Sequence, residues 1–398
     1  MKQIVVTVIA FLIFNGFHLA AQGLTMSGLL DSAVSLRAGA GDSPAFSYGI
    51  EEYLNLRMQV KIRDQAVIYS AFNFIAAAGD YAANVKEMGE LFLYGASGIN
   101  PTAFAAGENY IAAIELERLY FRLNGETVSL DGGLLRLPFG YGQVWGPSDF
   151  LNPKNPLTPD ARLRAVLGAG FSWYPIDELK LLGFGAAPRD PLSRWGGGGV
   201  VGLSMDRHWD KASLQLLYSY ESPKAGSGRG IHRAGISVKA DVEVGLVMDA
   251  LYTYNDEAGT EFDGLSFSLG ADYSFFDGNL IVLAEYLYNG ETSSTSIKSG
   301  GSLSNNHYLY TGLTWRFNDY TNISAALISG FDDISFTPLV TLNYDLFQGA
   351  ALIVSAQVPI DRDLFNNDGN RGELGPLPPK SNSAGAYFNC SVKLRLRF

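Results

Sequence analysis

The sequence predicts an all-β fold, a transmembrane antiparallel barrel of about 18 strands with 16 as the nearest alternative, and three observations carry that reading. Apolar and polar residues alternate with period two along one segment after another. Tight turns and longer loops join these segments in alternation, and aromatic residues gather at the segment ends. Composition agrees: 45 Gly, 21 Tyr and 24 Phe with only 17% charged residues fit glycine-rich turns and aromatic-belted strands.

The chain opens on Met1-Lys2, an apolar run from Ile4 to Phe14 and then Ala20-Ala21. This form predicts a secretory signal peptide over 1–21 and one barrel domain over 22–398, exported to the bacterial outer membrane. The apolar run falls short of the roughly 20 residues a spanning helix needs, and no cysteine follows it to carry a lipid anchor. No comparable apolar run occurs later, so helices are excluded as the spanning elements. The single Cys390 excludes a disulfide scaffold, and a net charge of −11 argues against a nucleic-acid partner.

The last segment shows the alternation best. Phe388, Cys390, Val392, Leu394, Leu396 and Phe398 share one face, and Asn389, Ser391, Lys393, Arg395 and Arg397 the other. An apolar face toward lipid and a polar face toward a lumen is the barrel arrangement. The same rhythm places strands at 32–39, 47–61, 66–77, 110–123, 126–138, 165–174, 178–187, 199–207 and 211–221. It continues at 231–240, 242–254, 263–275, 279–288, 307–317, 321–329, 335–346, 350–359 and 384–398.

Tight connections at 175–177, 206–210, 240–241, 276–278, 318–320 and 347–349 then fall on one side. That side, with both termini, is expected to be periplasmic; the longer loops 78–109, 139–164, 289–306 and 360–383 are expected outside. Tyr218, Tyr220, Tyr252, Tyr254, Tyr286 and Tyr288 end the upward strands. Phe171, Trp173, Tyr273, Phe275, Trp315, Phe317 and Phe398 end the downward ones, as two interfacial belts require.

Inward parity assigns to the lumen the cations Arg57, Lys61, Arg122, Arg233, Lys239, Arg316, Lys393 and Arg395, with Arg397 beside them. The anions are Glu115, Glu117, Asp131, Asp249, Asp272 and Glu285, with Glu243 and Asp345. Singly, each reads most simply as half of a wall ion pair; together they imply a wet interior in which fixed charge sets selectivity.

The most specific local string runs from Leu135-Arg136-Leu137-Pro138-Phe139-Gly140-Tyr141-Gly142 through Trp145-Gly146-Pro147-Ser148-Asp149-Phe150-Leu151-Asn152-Pro153. It resembles a segment common in porin-like outer-membrane proteins. That resemblance, with the barrel pattern, implies a channel for passive diffusion of small hydrophilic solutes, without a cofactor or chemical step. The ending on Phe398 likewise resembles the C-terminal signal read by the barrel-assembly machinery. Partners are then outer-membrane lipid and small solutes, with homo-oligomerisation left open.

Prolines stiffen the 139–164 loop, and Tyr141, Trp145 and Phe150 give it apolar surface. It is expected to enter the lumen and set the narrowest section, with Tyr141, Trp145, Asp149 and Asn152 as constriction residues. Deleting 146–158 should then raise conductance without harming insertion.

Three other readings stay open. A transporter of hydrophobic molecules would show a plugged lumen and an apolar pocket, and a surface adhesin would use loop 289–306. A hydrolase would need His with Asp or Ser at the rim, for which the mature chain offers only His208, His232 and His307. No zinc-type cluster is present; the oxygen-rich 360–383 loop, with Asp361, Asp363 and Asp368, reads as solvated unless it holds calcium.

Overall fold

The computed structural model describes residues 23–39, 46–63, 65–79, 102–107, 109–152, 165–187, 198–223, 230–255, 264–290, 306–332, 334–360 and 387–398. All regular structure among them is β. The strands are β1 Leu24–Gly39, β2 Phe46–Ile62, β3 Ala66–Gly79, β4 Thr102–Gly107, β5 Tyr110–Asn124, β6 Val128–Leu135 and β7 Val166–Ile176. Next come β8 Leu179–Ala186, β9 Val200–Trp209, β10 Ala212–Glu221, β11 Ile231–Asp241, β12 Gly245–Asn255 and β13 Leu265–Phe275. The last are β14 Leu280–Asn289, β15 His307–Asn318, β16 Thr321–Gly330, β17 Ser335–Phe347, β18 Ala350–Gln357 and β19 Tyr387–Arg397.

Each strand pairs antiparallel with its sequence neighbour, and β1 pairs with both β2 and β19, so the sheet closes. Eighteen strands form the ring, as the alternation predicts. The exception to simple succession is β4, which lies within the stretch read from sequence as loop 78–109. It forms a hairpin with β5, while β5 completes the ring by pairing with β3 and β6. Bounds also differ from the sequence reading, most of all at β1, which begins at Leu24, eight residues early; β6 stops at Leu135 where strand was expected to 138.

Closure removes the unpaired edges an open sheet would present. The seam has full register from Leu29↔Arg397 to Gly39↔Tyr387. Inside it Asp31 accepts two bonds from Arg395, each 2.8 Å, a fork-to-fork pair that fixes register as well as charge.

Burial separates the two faces. On β12 the outward Leu246, Tyr252 and Tyr254 are exposed, while Val247, Asp249, Leu251 and Thr253 between them are buried. Outward aromatics form two girdles. At the rim carrying the tight turns lie Phe171, Trp173, Tyr273, Phe275, Trp315, Phe317 and Phe398. At the other, Tyr220, His232 and Tyr254 pack ring on ring, as do Phe267, Tyr288 and His307. Phe267 and Phe275 on β13 are eight residues apart, roughly 27 Å of strand or about 20 Å of height at a tilt near 40°. That is close to the apolar band, about 25 Å tall, of a transmembrane barrel.

Candidate functional site

The wall is interrupted where β6 gives way to Arg136. From there residues 136–152 turn inward and lie as a hairpin against the inner face of the later strands. The two limbs are tied together: Leu137 N donates to Asn152 Oδ1 at 2.9 Å and Phe139 N to Asp149 Oδ1 at 3.4 Å. Two successive turns, Asp149 N to Gly146 O and Asn152 N to Asp149 O, shape the returning limb. Pro147 is buried within that limb.

The outgoing limb spends its backbone amides on inward side chains of successive strands. Gly140 N donates to Gln215 Oε1 on β10 at 2.6 Å and Tyr141 N to Ser237 Oγ on β11 at 2.8 Å. Gln143 N and Val144 N donate to Glu285 Oε2 on β14, and Trp145 N to Glu285 Oε1, all at 2.9–3.0 Å. Three amides converging on one fully buried carboxylate form an anion nest turned to structural use. Gln143 Nε2 also reaches Asp272 on β13 at 2.7 Å. On the return, Ser148 Oγ donates to Asp249 Oδ1 at 2.5 Å. Gly140 explains its own identity: it has φ +78°, and a Cβ there would strike the Asp249 carboxylate.

Apolar contacts hold both ends of the hairpin. Phe139, Phe150, Leu137 and Leu151 pack with Leu182, Phe184, Val200, Leu217 and Leu251 of β8, β9, β10 and β12. Phe150 carries the Arg233 guanidinium 4.8 Å from its ring, and Arg233 pairs with Glu221 at 2.9 Å. At the tip Trp145, 1% exposed, packs against Leu287, Tyr308 and Ile328 of β14, β15 and β16. Burial pushes the Tyr141 phenol up to about 12.

The facing wall is built differently. On β5 the register slips opposite Ala71 and Phe72, a β-bulge that turns both Glu117 and Arg118 inward. This explains how Glu115, Glu117 and Arg122, of opposite parity, all face the lumen. Asn55 donates to Asn73 at 2.6 Å and to Glu117 at 2.7 Å, Asn73 donates to Glu115 at 2.7 Å, and Tyr53 donates to Asn73 at 2.8 Å. Arg136 donates to Glu117 at 2.7 Å, and Arg118 lies 3.5 Å from Glu117 and donates to the Tyr69 hydroxyl at 2.8 Å. Arg57 bonds Asn55, and Arg122 pairs with Asp131 at 2.6 Å. The carboxylates are buried behind; the guanidiniums of Arg118 and Arg136 stay 19% and 26% open.

Of the remaining sequence-predicted residues, Lys393 lies 3.8 Å from Asp31, beside Arg395, and Lys239 lies 3.2 Å from Asp241 near the tight-turn rim. Lys61 and Arg316 have inward parity and are exposed. The sequence assignment named charged residues only and so left out Asn55, Asn73, Gln215 and Ser237, although Asn55 shares the inward parity of Arg57; Arg118 has the opposite parity to Glu117 and was left out with them. His208 lies within β9, not in a turn, with Nδ1 3.0 Å from Ser213. His232 and His307 contact the hydroxyls of Tyr218 and Tyr286 on the outward face. The 360–383 loop falls outside the described residues except for Ile360.

No family model and no curated protein matches the chain. Solved structures do. Acinetobacter baumannii OccAB1 is 9% identical over 94% of this chain and 96% of its own, with a TM-score of 0.56. Pseudomonas aeruginosa OccK9 (OpdG) is 13% identical over 94% and 98%, also at 0.56, and Acinetobacter baumannii OccAB4 is 12% identical over 95% and 99%, at 0.53. At such identity the likeness is one of fold, and it extends over nearly the whole of each chain: this protein has the porin-like β-barrel fold of the bacterial outer membrane.

Proposed function

We propose that the chain is an outer-membrane channel through which small hydrophilic solutes diffuse passively, with the 136–152 hairpin setting the narrow section. The observation that carries this reading is the hairpin's placement along one side of the lumen, opposite a wall of amides, carboxylates and guanidiniums. A barrel of about 18 strands is wide enough for an aqueous path, whereas about eight strands fill their own interior. Among the described residues, both buried apolar clusters of the inner face pack the hairpin, which leaves those clusters unavailable as a binding pocket for a hydrophobic cargo. Purified protein in a planar bilayer is expected to give discrete ion conductance; a silent bilayer with correctly folded barrel would turn the reading toward hydrophobic transport.

Selectivity follows from which charges stay open. Since Glu115 and Glu117 are buried and Arg118 and Arg136 face the path, fixed positive charge dominates this side of the narrow section. Arg118→Gln is therefore expected to move the reversal potential in a KCl gradient toward cations, with Glu117 still paired to Arg136. An unchanged potential would remove Arg118 from the selectivity path.

A further inference from the structure

One outward residue does not belong on a lipid-facing wall. Glu52 on β2 shares parity with Tyr48, Ile50, Leu54 and Leu56, and it is exposed. Ser32 Oγ on β1, directly opposite, donates to its Oε1 at 2.5 Å. Glu52 stands four residues from Tyr48 on one side. On the other it stands four residues from Leu56, which pairs with Gly28 beneath the Phe398 ring. Each interval is about 13 Å of strand, or roughly 10 Å of height, so the carboxyl lies midway between the girdles. Among the described residues between those girdles it is the one acidic or basic side chain at outward parity. Arg207 lies over the Trp209 ring at one rim, and His232 and His307 lie within the aromatic cluster of the other.

Acyl chains offer this group nothing to bond, and Ser32 satisfies one oxygen only. Its register neighbours Ser32, Ala76 and Ala112 are small, while Val34, Ile50 and Phe74 around them stand out into the membrane. The carboxyl thus sits in a shallow recess bordered by apolar surface, an arrangement suited to close approach by another protein wall.

We propose that the outward face of β1, β2 and β3 is an interface between two copies of this chain, related by a twofold axis along the membrane normal and centred on Glu52. Rotation about such an axis preserves height, so Glu52 can meet only outward groups at its own level. Among the described residues those include no cation. A second Glu52 fits, because two carboxyl groups that each carry their proton can face one another across a twofold, each donating one hydrogen bond and accepting the other, and an isologous contact brings like residues together. Ser32 from each copy closes the pair from the side.

Cross-linking and mass measurements on the full chain test this. With Cys390→Ser removing the native thiol, Ile50→Cys keeps Glu52 and adds one thiol beside it on the same face. Mild oxidation in native membranes is expected to give a covalent dimer in which bilayer conductance is retained. In mild detergent, wild type and Glu52→Gln are expected to sediment as dimers, since carboxamides pair in the same self-complementary way; Glu52→Leu should weaken dimerisation at least tenfold. A monomeric wild type without self-cross-linking would overturn the proposal, as would a trimer, or cross-linking to a different protein, which would assign the recess to a partner bringing its own donor.

Discussion

Replacing residues 141–150 with a two-glycine link is expected to raise single-channel conductance several-fold and to admit larger solutes, without loss of barrel insertion. The deleted stretch contains the tip with Trp145 and all the amides bound to Glu285 and Ser237. The variant retains Leu137, Phe139 and Leu151, which cover the inner face of β8 to β12. Because ring closure rests on backbone ladders and on the Asp31–Arg395 seam, the barrel should keep its resistance to heat and detergent. Liposome swelling with a graded series of sugars measures the cutoff. If conductance and cutoff stay at wild-type values in a folded variant, the narrowest section lies elsewhere.

Glu285→Ala should have the next largest effect, although it changes only the wall. Three backbone N–H groups lose their acceptor at once, and each hydrogen bond to a charged group is worth about 1.5–3 kcal/mol. Trp145 remains packed against Tyr308 and Tyr310, with ring centroids 6.2 Å away in both cases. Burial of a large aromatic contributes a further 3–5 kcal/mol or so, which opposes complete release. The expected result is a tip that detaches intermittently, read as a noisy channel with added high-conductance substates. Glu285→Gln keeps one acceptor oxygen but turns an NH2 toward an amide N–H, so its noise should fall between the two. A quiet wild-type trace from Glu285→Ala would show that the aromatic contacts alone hold the tip.

The wall was legible in the sequence because one periodicity governs it. Leu246, Tyr252 and Tyr254 against Asp249 and Thr253 needs no partner strand to be read. What escaped was whatever depends on register between distant segments. The bulge at Glu117 and Arg118 shifts one residue, so the alternation merely changes phase, and β4, with the sequence Thr-Ala-Phe-Ala-Ala-Gly, carries no polar face to alternate. The hairpin's Trp145, Tyr141, Asp149 and Asn152 were visible as a stiff, aromatic loop. That Glu285, 140 positions from Trp145, would bind its backbone was not, because only the closed ring brings β14 beside the end of β6. Glu52 went unremarked in the sequence, because its weight appears only when the girdles fix its height.

The hairpin precedes in the chain nearly every strand that holds it. Residues 136–152 emerge before β10, β11, β12, β14, β15 and β16, and their partners on those strands face one another only once the sheet has curled. Loop closure over such separations is slow, and contacts of this kind form late. The segment must therefore wait, its aromatic side chains without a cavity, while the wall assembles around it. The order is thus written into the connectivity: the hairpin can seat only after the strands from β10 to β16 that hold it are in place.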